Sequence, residues 1–538
     1  MKKYFLLIFI FSAQLCLAQN PLVKKWDHRY GGNLIEWLGA CIETEDNGFL
    51  IGGMSNSDSS GNIRRHPCDF TNNTFDHWVV KSDSLGNLLW ERRFGGYGED
   101  ELTALVETGN AYYLAGTSWS NTGCTKAAPA IGSSDYWIIK TDLSGNKIWE
   151  KTYGGYFGNE LSCAITTNDG SILLGGNSTS DSGGTKTENC RVMSDYWFFK
   201  IDTAGNVLWD RTLGGAEEDV LKEILETEDG GFLLAGYSFS DSGADKTEPN
   251  HDPTLDSPDY WIVKTDSDGN RQWDKRYGGN YRDFLSHVSQ TPDHEFLLTG
   301  NSYSGISGDK TQDDWDPSYN TADVWVVKIR DDGTKIWDRR YGGTLDELAE
   351  GDIQVISDGG YLFSGLSYSD SSGDKSEDLF WGQECWIVKI DSGGQKIWDR
   401  SIHVSGSMDL GSNLVTNDGC YLFPMAVSAG IGAEKTEPGW GADDYWLIKY
   451  CDTTFTTGSI HDLNQTNAFV ITPNPTTGKL KIQTEKLIET IQVFNLFGEN
   501  VLEASASNEI DLTDQPPGIY FIRIQAEGKI QSFKIVLQ

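Results

Sequence analysis

Short apolar stretches alternate with polar turns along most of the chain, and one such pattern occurs six times. In DYWIVKTDSDGNRQW (259–273), two runs of β-branched and aromatic residues flank the polar turn 266–270. Related segments end at Trp90, Trp149, Trp209, Trp337 and Trp398. In every copy two tryptophans stand twelve positions apart. This pattern predicts a repeated β-hairpin with an Asp/Gly turn.

A second apolar hairpin precedes each copy, as in LKEILETEDGGFLLAGYS from Leu221. Each unit therefore predicts four antiparallel strands, and the unit recurs about every 60 residues, as expected for a propeller. The last unit, at Trp446, lacks its second half, whereas KKWDHRYGG at the N-terminus lacks a first half. We predict an all-β fold in which residues 25–32 supply the outer strand of the last unit. That strand would close a seven-bladed β-propeller over residues 19–455.

The second tryptophan of each hairpin, together with its N-terminal counterpart, is expected to pack between neighbouring blades. These structural residues are Trp26, Trp90, Trp149, Trp209, Trp273, Trp337 and Trp398. The pattern Lys-x-Asp-x-x-Gly-Asn-x-x-Trp resembles the tryptophan-docking repeats of quinoprotein-like propellers. Those enzymes usually have eight blades and a pair of adjacent cysteines, which this chain lacks. The resemblance therefore implies a fold over residues 22–455 and no cofactor.

The turn between the hairpin strands could be read as the start of a calcium loop, with Asp266 and Asp268 as ligands. Across the copies it reads DSLGN, DLSGN, DTAGN, DSDGN, RDDGT and DSGGQ. The first Asp and the Gly mostly persist, whereas the position of Asp268 varies. A calcium loop needs oxygen donors at fixed positions, but a turn needs only a residue such as Asp and a Gly at positive φ. We therefore predict a turn and no metal site.

The composition narrows the choice of compartment and partner. The N-terminal MKKYFLLIFIFSAQLCLAQ predicts a signal peptide over residues 1–18. No later stretch is apolar enough for a spanning helix. The net charge is −36, with 79 acidic and 43 basic residues, which disfavours nucleic acid as a partner. We expect a secreted or outer-membrane surface protein.

After a polar segment (456–467) the repeat ends, and residues 468–538 predict a small β-sandwich. The motifs PNPTTGKL, FNLFGENV, PPGIYFIRI and FKIVL closely resemble the type A sorting domain of the bacterial type IX secretion system. The resemblance implies that the secretion machinery is a partner and that the propeller is the cargo. A generic β-sandwich binding module is the alternative. The sorting-signal residues would be Pro473, Asn474, Pro475, Gly478, Gly498, Gly518, Tyr520 and Lys534.

Two further features recur on the face that carries the connections between strands 2 and 3 and between blades. One is a Ser/Asp/Gly/Lys segment, as in SDSGADKT from Ser240. The other is an acid soon after Gly-Gly, read as Glu36, Glu101, Glu160, Asp219, Asp283, Glu347 and Asp409. Because an asymmetric ligand seldom needs seven copies of a group, we favour a latch in which the acid binds loop amides and pairs with the lysine. A catalytic or metal-binding ring is the alternative.

Ligand binding is expected where the repeats differ, in the loops before the third strands. The candidate ligand-binding residues there are Trp315, Tyr319, Trp381 and Trp440. Aromatic rings beside carboxylates suit sugar rings and protein contacts alike, although each ring could simply cover its own blade. We predict a binding module for a glycan or a surface protein. The alternatives are a polysaccharide-acting hydrolase on the same face and a purely structural surface protein; no catalytic residue can be nominated.

The cysteines are too few and scattered for a disulfide scaffold. Cys420 and Cys451 should lie at the ends of neighbouring strands, so a disulfide is predicted there. Cys68, Cys124 and Cys190 sit in comparable loops, and one pair could form a disulfide and leave a thiol.

Overall fold

The computed structural model divides into two compact units, residues 1–451 and 452–538. The described residues of the first unit are 22–69, 73–252, 257–316, 318–428 and 430–451, with Asp452 continuing its last strand. Those of the second lie within 470–537, without 473–475, 477, 485–487, 496–499, 506, 514, 517 and 527–528. The predicted signal peptide and linker lie outside the described residues.

The described part of the first unit consists of antiparallel strands joined by turns and loops, without a helix. The strands are β1 (Leu22–Tyr30), β2 (Glu36–Glu43), β3 (Phe49–Ser55), β4 (Asp76–Ser82), β5 (Leu88–Phe94), β6 (Asp100–Thr108), β7 (Ala111–Ser118), β8 (Asp135–Asp142), β9 (Lys147–Tyr153), β10 (Asn159–Thr166), β11 (Ile172–Ser178), β12 (Asp195–Ile201), β13 (Val207–Leu213), β14 (Asp219–Glu226), β15 (Phe232–Ser238), β16 (Asp259–Thr265), β17 (Arg271–Tyr277), β18 (Asp283–Gln290), β19 (Phe296–Ser302), β20 (Asp323–Ile329), β21 (Lys335–Tyr341), β22 (Glu347–Leu348), β23 (Gln354–Val355), β24 (Tyr361–Ser367), β25 (Glu384–Ile390), β26 (Lys396–Ile402), β27 (Met408–Leu410), β28 (Leu414–Val415), β29 (Tyr421–Val427) and β30 (Asp444–Asp452).

These strands form seven sheets, which we number in chain order. Sheets 1 to 5 contain four strands each, from β2–β5 to β18–β21, and sheet 6 contains β22–β26. Sheet 7 contains β27–β30 and the N-terminal β1. In sheets 6 and 7 the first strand is divided into two short pieces that pair with the same neighbour. The second and third strands, such as β15 and β16, are almost wholly buried because adjacent sheets cover both of their faces.

Successive sheets pack face to face through repeated contacts. The Tyr196 hydroxyl donates to the carbonyl of Trp261 in the next sheet at 3.1 Å, and Tyr260 makes the same bond to Trp325 at 3.2 Å. Between sheets 7 and 1, Tyr445 donates to Trp78 at 3.3 Å. A buried cluster that includes residues of β1, β3, β4, β29 and β30 also joins these two sheets. The first unit is a β-propeller.

The N-terminal strand takes the place of a fourth strand in sheet 7. Trp446 Nε1 donates to Asp27 of β1 at 3.0 Å, and the Thr436 amide donates to the same carboxylate at 2.8 Å. In sheet 4, Trp261 Nε1 and the Thr247 amide bind Asp274 at 3.1 and 2.8 Å. The N-terminal segment thus supplies the carboxylate that the fourth strand supplies elsewhere.

The recurring hairpin turn is held by its own carboxylate. Asp266 Oδ1 accepts hydrogen bonds from the amides of Asp268 at 3.0 Å and Asn270 at 2.8 Å. Gly269 has φ +76°, and a Cβ there would lie 2.8 Å from the ring of Trp209 in the preceding sheet. The glycine is therefore required both by its conformation and by the tryptophan that packs on it. The half-buried tryptophans of the other sheets pack against the clusters between sheets in the same way; they are Trp26, Trp90, Trp149, Trp273, Trp337 and Trp398.

Two disulfides are present among the described residues of the first unit. Cys420–Cys451 joins neighbouring strands of sheet 7, and Cys68–Cys124 links the loops of sheets 1 and 2. The free cysteines among the described residues are Cys41, Cys163, Cys190 and Cys385.

The second unit contains two antiparallel sheets in its described residues, with strand orders β31-β32-β35 and β34-β33-β36-β37. The strands are β31 (Val470–Thr472), β32 (Lys479–Gln483), β33 (Ile488–Phe494), β34 (Asn500–Ser505), β35 (Glu509–Asp511), β36 (Gly518–Ala526) and β37 (Lys529–Leu537). A core of buried residues, including Leu480, Ile491 and Ile522, joins both sheets. Among the described residues, no helix is long and apolar enough to cross a membrane.

Candidate functional site

One end of the propeller carries the loops between second and third strands and the Gly-Gly connections between sheets. We call this end the loop face. In two of its Ser/Asp/Gly/Lys segments the lysine binds the serine that opens the segment: Lys246 Nζ donates to the Ser240 carbonyl at 2.6 Å, and Lys375 Nζ to the Ser369 carbonyl at 2.6 Å. In a third segment, Lys186 Nζ donates instead to the Thr212 hydroxyl of the fourth strand. Lys246 and Lys375 therefore each close their own loop.

The acid predicted after Gly-Gly is buried at the start of the first strand. Asp283 accepts hydrogen bonds from the Gly279 amide at 2.7 Å and the Ser304 hydroxyl at 3.0 Å. The residues in this place are Glu36, Asp100, Asn159, Asp219, Asp283, Glu347 and Met408. The sequence interpretation was wrong by one residue in three sheets, where it chose Glu101, Glu160 and Asp409. Because successive side chains of a strand point to opposite sides, those three carboxylates lie outside the buried position.

A second acid, at the start of each third strand, holds the preceding loop. The amides of Trp315 and Trp440 donate to Asp323 at 3.0 Å and to Asp444 at 2.8 Å. The residues bound in this way occupy one equivalent place, which we call the bridging position. They are Cys68, Ile131, Arg191, His251, Trp315, Phe380 and Trp440.

Side chains at the bridging position contact the next sheet through different chemistry at different interfaces. Cys68 forms the disulfide to Cys124, and Arg191 lies 2.6 Å from Asp245. His251 Nε2 lies 3.2 Å from Asp309. Sequence reasoning missed this shared role, because the number of residues between it and the third strand differs from sheet to sheet and the residues have no chemistry in common.

Two of the four aromatic candidates occupy the bridging position. Trp315 Nε1 donates to Asp374 of sheet 6 at 3.2 Å, with the Arg340 guanidinium 4.3 Å from its ring centre. The Trp440 ring packs against Gly61 of sheet 1 and lies under Arg29 at 3.3 Å. Each tryptophan keeps about 40–45% of its surface exposed while it joins two sheets. They lie at equivalent places two sheets apart, and each contacts its own neighbours.

The other two candidates differ in exposure. Tyr319 stacks on Tyr281 with ring centres 5.3 Å apart, and its hydroxyl lies 3.3 Å from Asp313. Trp381 is 57% exposed, the highest value of the three candidate tryptophans. Among the described residues, no hydrogen bond or ring contact joins Trp315, Trp381 and Trp440 to one another.

A cleft of about 330 Å³ opens on the loop face between sheets 2, 3 and 4. Its carboxylates are Glu101, Glu160 and Glu218, and its one cation is Lys222. Trp119, 40% exposed, and the half-buried Tyr237 also line it. The remaining lining is mainly hydroxyl and amide side chains, with Leu161 and Val220; they are Thr103, Thr117, Ser162, Asn177 and Ser194. Of these residues, the sequence singled out only Glu101 and Glu160, as members of the repeated acid set and not as ligand-binding candidates.

The strands explain why these side chains meet. Glu101 and Glu160 are the second residues of β6 and β10, at the end of each first strand that reaches the loop face. Lys222 is the extra residue of a β-bulge between Leu221 and Glu223. Other sheets have the bulge but carry Gly39, Thr103, Ser162 or Ser286 there. Lys222, a lysine where the other sheets with this bulge have a small polar residue or glycine, is the sequence feature that could have indicated this cleft.

The cleft carries more negatively than positively charged side chains. Burial, followed by the neighbouring Glu99 and Glu160 carboxylates, raises the pKa of Glu101. Burial lowers the pKa of Lys222, whose Nζ lies 5.8 Å from the Tyr237 ring centre. The cleft thus concentrates negative charge beside two aromatic rings and a single amine.

A further titratable cluster lies where the first strands of sheets 4, 5 and 6 approach one another. His287 Nδ1 lies 2.7 Å from Asp352 and 3.7 Å from Glu223, and its Nε2 lies 2.9 Å from the Glu350 carbonyl. Glu223 also accepts the Val288 amide at 2.7 Å. The Asp352 and Glu223 carboxylates, opposed by burial, hold the pKa of His287 well above its usual value. This cluster joins three sheets through charge. Among the described residues, no group of three or more His, Cys, Asp or Glu side chains is arranged to hold a metal ion.

Comparison with known proteins identifies the second unit. Residues 470–538 match the family described as a secretion system C-terminal sorting domain. Of the predicted signal residues, Gly478, Gly518, Tyr520 and the backbone of Lys534 fall in described segments, and Tyr520 donates to the Pro516 carbonyl at 2.7 Å. Pro473, Asn474, Pro475 and Gly498 lie outside the described residues. No curated protein matches the chain.

Solved structures similar to this chain are distant. A protein of unknown function from Dyadobacter fermentans is 11% identical with a TM-score of 0.40, covering 81% of this chain and 100% of that one. The WD40 domain of Neurospora crassa Pan2 is 9% identical with a TM-score of 0.40, covering 77% and 89%. YCF48 bound to a D1 peptide is 8% identical with a TM-score of 0.41, covering 81% and 96%. Likenesses at this level carry no argument about function.

The fold and the tail together define a class of protein: a β-propeller followed by a C-terminal secretion domain. More particularly, it is a secreted β-propeller that carries a type IX secretion sorting tail and resides at the cell surface or outside the cell.

Proposed function

We propose that this protein is a seven-bladed propeller that acts as an exported binding module, taking a glycan or protein ligand at its loop face. Each of the seven sheets would be one blade of a closed ring, and the C-terminal unit would be a β-sandwich. The contacts that join successive sheets recur between sheets 7 and 1, which supports this blade count. The domain bounds would be 1–18, 19–455, 456–467 and 468–538.

The observation that carries the binding function is the cleft between sheets 2, 3 and 4. It combines Trp119, Tyr237 and side chains that can bind hydroxyl and amide groups, in a cavity of about 330 Å³. Binding sites usually combine a concave surface with a few convergent polar groups. Trp381 and Tyr319 offer a second contact surface on the same face, whereas Trp315 and Trp440 support the ring.

The test is ligand binding by the mature secreted protein, measured on glycan arrays and by pull-down of surface proteins. The matched variants are Trp119→Ala, in the cleft, and Tyr303→Ala, at the equivalent place of sheet 5. Loss of binding in the first variant alone is expected. Equal binding by both variants would exclude the cleft as the binding site.

A glycan-acting hydrolase is the second candidate function, and one observation favours it. Glu101 and Glu160 line one cleft, and the pKa of Glu101 is raised, as a general acid requires. Release of new reducing ends, abolished by Glu101→Gln but not by Asp409→Asn, would establish the enzyme. Binding without product release would establish the binding module.

The sorting role of the tail has its own test. Removing residues 470–538 should leave the propeller folded and retained in the periplasm, because the secretion machinery would no longer recognise it. Fractionation and a propeller-specific antibody measure this. Normal appearance of the truncated protein outside the cell would contradict it.

A further inference from the structure

The cleft between sheets 2, 3 and 4 differs from the corresponding places of the other sheets in its charge. Glu101 and Glu160 occupy the second position of their first strands, where four of the other sheets have Trp37, Val220, Phe284 and Leu348. The remaining sheet has Asp409 there. Only sheets 2 and 3 therefore place two such carboxylates side by side, and Glu218 adds a third from the start of sheet 4.

These carboxylates have no cation paired with them among the described residues. The ion pairs of the propeller involve other acids, including the buried ones at the blade junctions. Lys222, the only cation of the cleft, lies beside the Tyr237 ring instead of within salt-bridge distance of a carboxylate. Glu101 is half-buried, whereas Glu160 and Glu218 are exposed, so their like charges repel one another across the open cleft. A positively charged ligand would relieve this repulsion.

The rest of the lining indicates what kind of molecule would carry the positive charge of the ligand. Trp119 exposes 40% of its surface beside the cleft, and aromatic faces attract both sugar rings and cations. Asn177 Oδ1 accepts a hydrogen bond from the Leu221 amide at 2.7 Å, and Asn177 Nδ2 donates to the Ser162 hydroxyl at 3.4 Å. Hydroxyls of Thr103, Thr117 and Ser194 complete a polar wall suited to a compact ligand with many hydroxyl groups. The volume, at the low end for ligand pockets, fits about one or two sugar rings.

We propose that this cleft binds a glycan with free amino groups, such as an unacetylated amino sugar. The ammonium group would lie between Glu101 and Glu160, the sugar ring would pack on Trp119, and Lys222 would donate to a ring hydroxyl or oxygen. This inference rests on the proposed binding function and names its ligand class. No covalent step is involved.

The experiment titrates the mature secreted protein with glucosamine oligosaccharides and with their N-acetylated counterparts, using calorimetry and tryptophan fluorescence. We expect the free-amine form to bind at least about tenfold more tightly, since one charge-assisted contact contributes about that factor. The double variant Glu101→Gln/Glu160→Gln should lose this preference. Asp409→Asn, the equivalent acid of sheet 7, should keep it. Raising the salt concentration should weaken binding of the free-amine form, because part of the attraction is Coulombic.

Each contrary result would refute a different part of this inference. Equal affinity for free-amine and acetylated sugars would overturn the amine assignment. If oligolysine bound as tightly as the amino sugar and competed with it, the ligand class would be a basic peptide and not a glycan. A glycan or surface protein that binds equally well to the wild type and the double glutamine variant would refute the inference and leave the proposed binding function intact. Thermal unfolding of every variant at the wild-type temperature confirms that the fold is preserved.

Discussion

The junctions between sheets predict a measurable charge coupling, and the junction of sheets 4 and 5 is the best place to test it. Asp259 and Asp283 are both fully buried there. Burial, then the Asp283 charge, raises the pKa of Asp259 to about 7. Arg276 opposes this effect: its Nε lies 3.7 Å from Asp259 and its Nη1 3.1 Å from Asp309. The effect of replacing Arg276 on stability should therefore depend on whether Asp283 is present as an acid.

The chain itself contains the neutral version of this junction. Between sheets 2 and 3, Thr152 replaces the arginine and Asn159 the acid. Asn159 keeps the hydroxyl contact, since it accepts from Ser178 at 2.8 Å. The test is a double-mutant cycle of Arg276→Thr and Asp283→Asn, which rebuilds that pair in the junction of sheets 4 and 5.

Removing one partner of a buried ion pair costs about 3–5 kcal/mol, so Arg276→Thr should strongly lower stability. Asp283→Asn should cost about 1–3 kcal/mol through its weaker hydrogen bonds. The double variant should be more stable than the sum of the two changes implies, by about 1–3 kcal/mol. Urea midpoints with their slopes provide the free energies of unfolding. Additive effects in this cycle would refute the coupling. Arg276→Thr combined with the distant Asp100→Asn, the control, should be additive.

Three further results are expected. Asp27→Ala should lower the melting temperature about as much as replacing the equivalent Asp274 of sheet 4 by alanine, because it removes the acceptor of Trp446 Nε1. A negligible change measured by calorimetry would contradict the role of the N-terminal strand. Cys420→Ser should destabilise the propeller by about 2–4 kcal/mol through loss of the bond to Cys451, and the reducing agent that lowers the wild-type melting temperature should then have a smaller effect. The pKa of Glu350 is raised to about 7, chiefly by burial, so its contribution to stability is full below its ordinary pKa and is lost as the pH rises towards 7. Melting temperatures should therefore fall from pH 5 to pH 8, and Glu350→Gln should flatten that slope; an unchanged slope would exclude this residue.

Much of the scaffold could be predicted from the sequence because it repeats. The apolar hairpins, the Asp/Gly turn and the half-unit at the N-terminus each follow from local patterns, and Asp27 occupies the place that these patterns predict. The charge coupling was also visible in principle. Arg29, Arg93, Arg276 and Arg340 each precede a buried acid by seven positions, whereas Thr152 and Ser401 precede Asn159 and Met408 by the same spacing. The junction of sheets 3 and 4 is the exception, since Thr212 precedes the buried Asp219.

The candidate site was harder to predict because it depends on three sheets. Glu101, Glu160 and Lys222 come together through strand ends and a β-bulge, and neither feature has a marked sequence pattern. The loop tryptophans attracted attention by their chemistry. Two of them proved to join sheets, because the amide at the bridging position fixes where the side chain can point.

The position of β1 also constrains when the molecule can finish folding. Asp27 and Trp446 are 419 residues apart in sequence, so one of the first segments synthesised must wait for one of the last. Until then the outer side of β30 is an unpaired strand edge that can recruit a strand from another chain. A product that ends before β30 would leave β1 without its partner strand, and one that lacks β1 would keep the edge of β30 exposed. Both should be prone to aggregation or proteolysis. Pairing of the two ends thus distinguishes complete chains from incomplete ones.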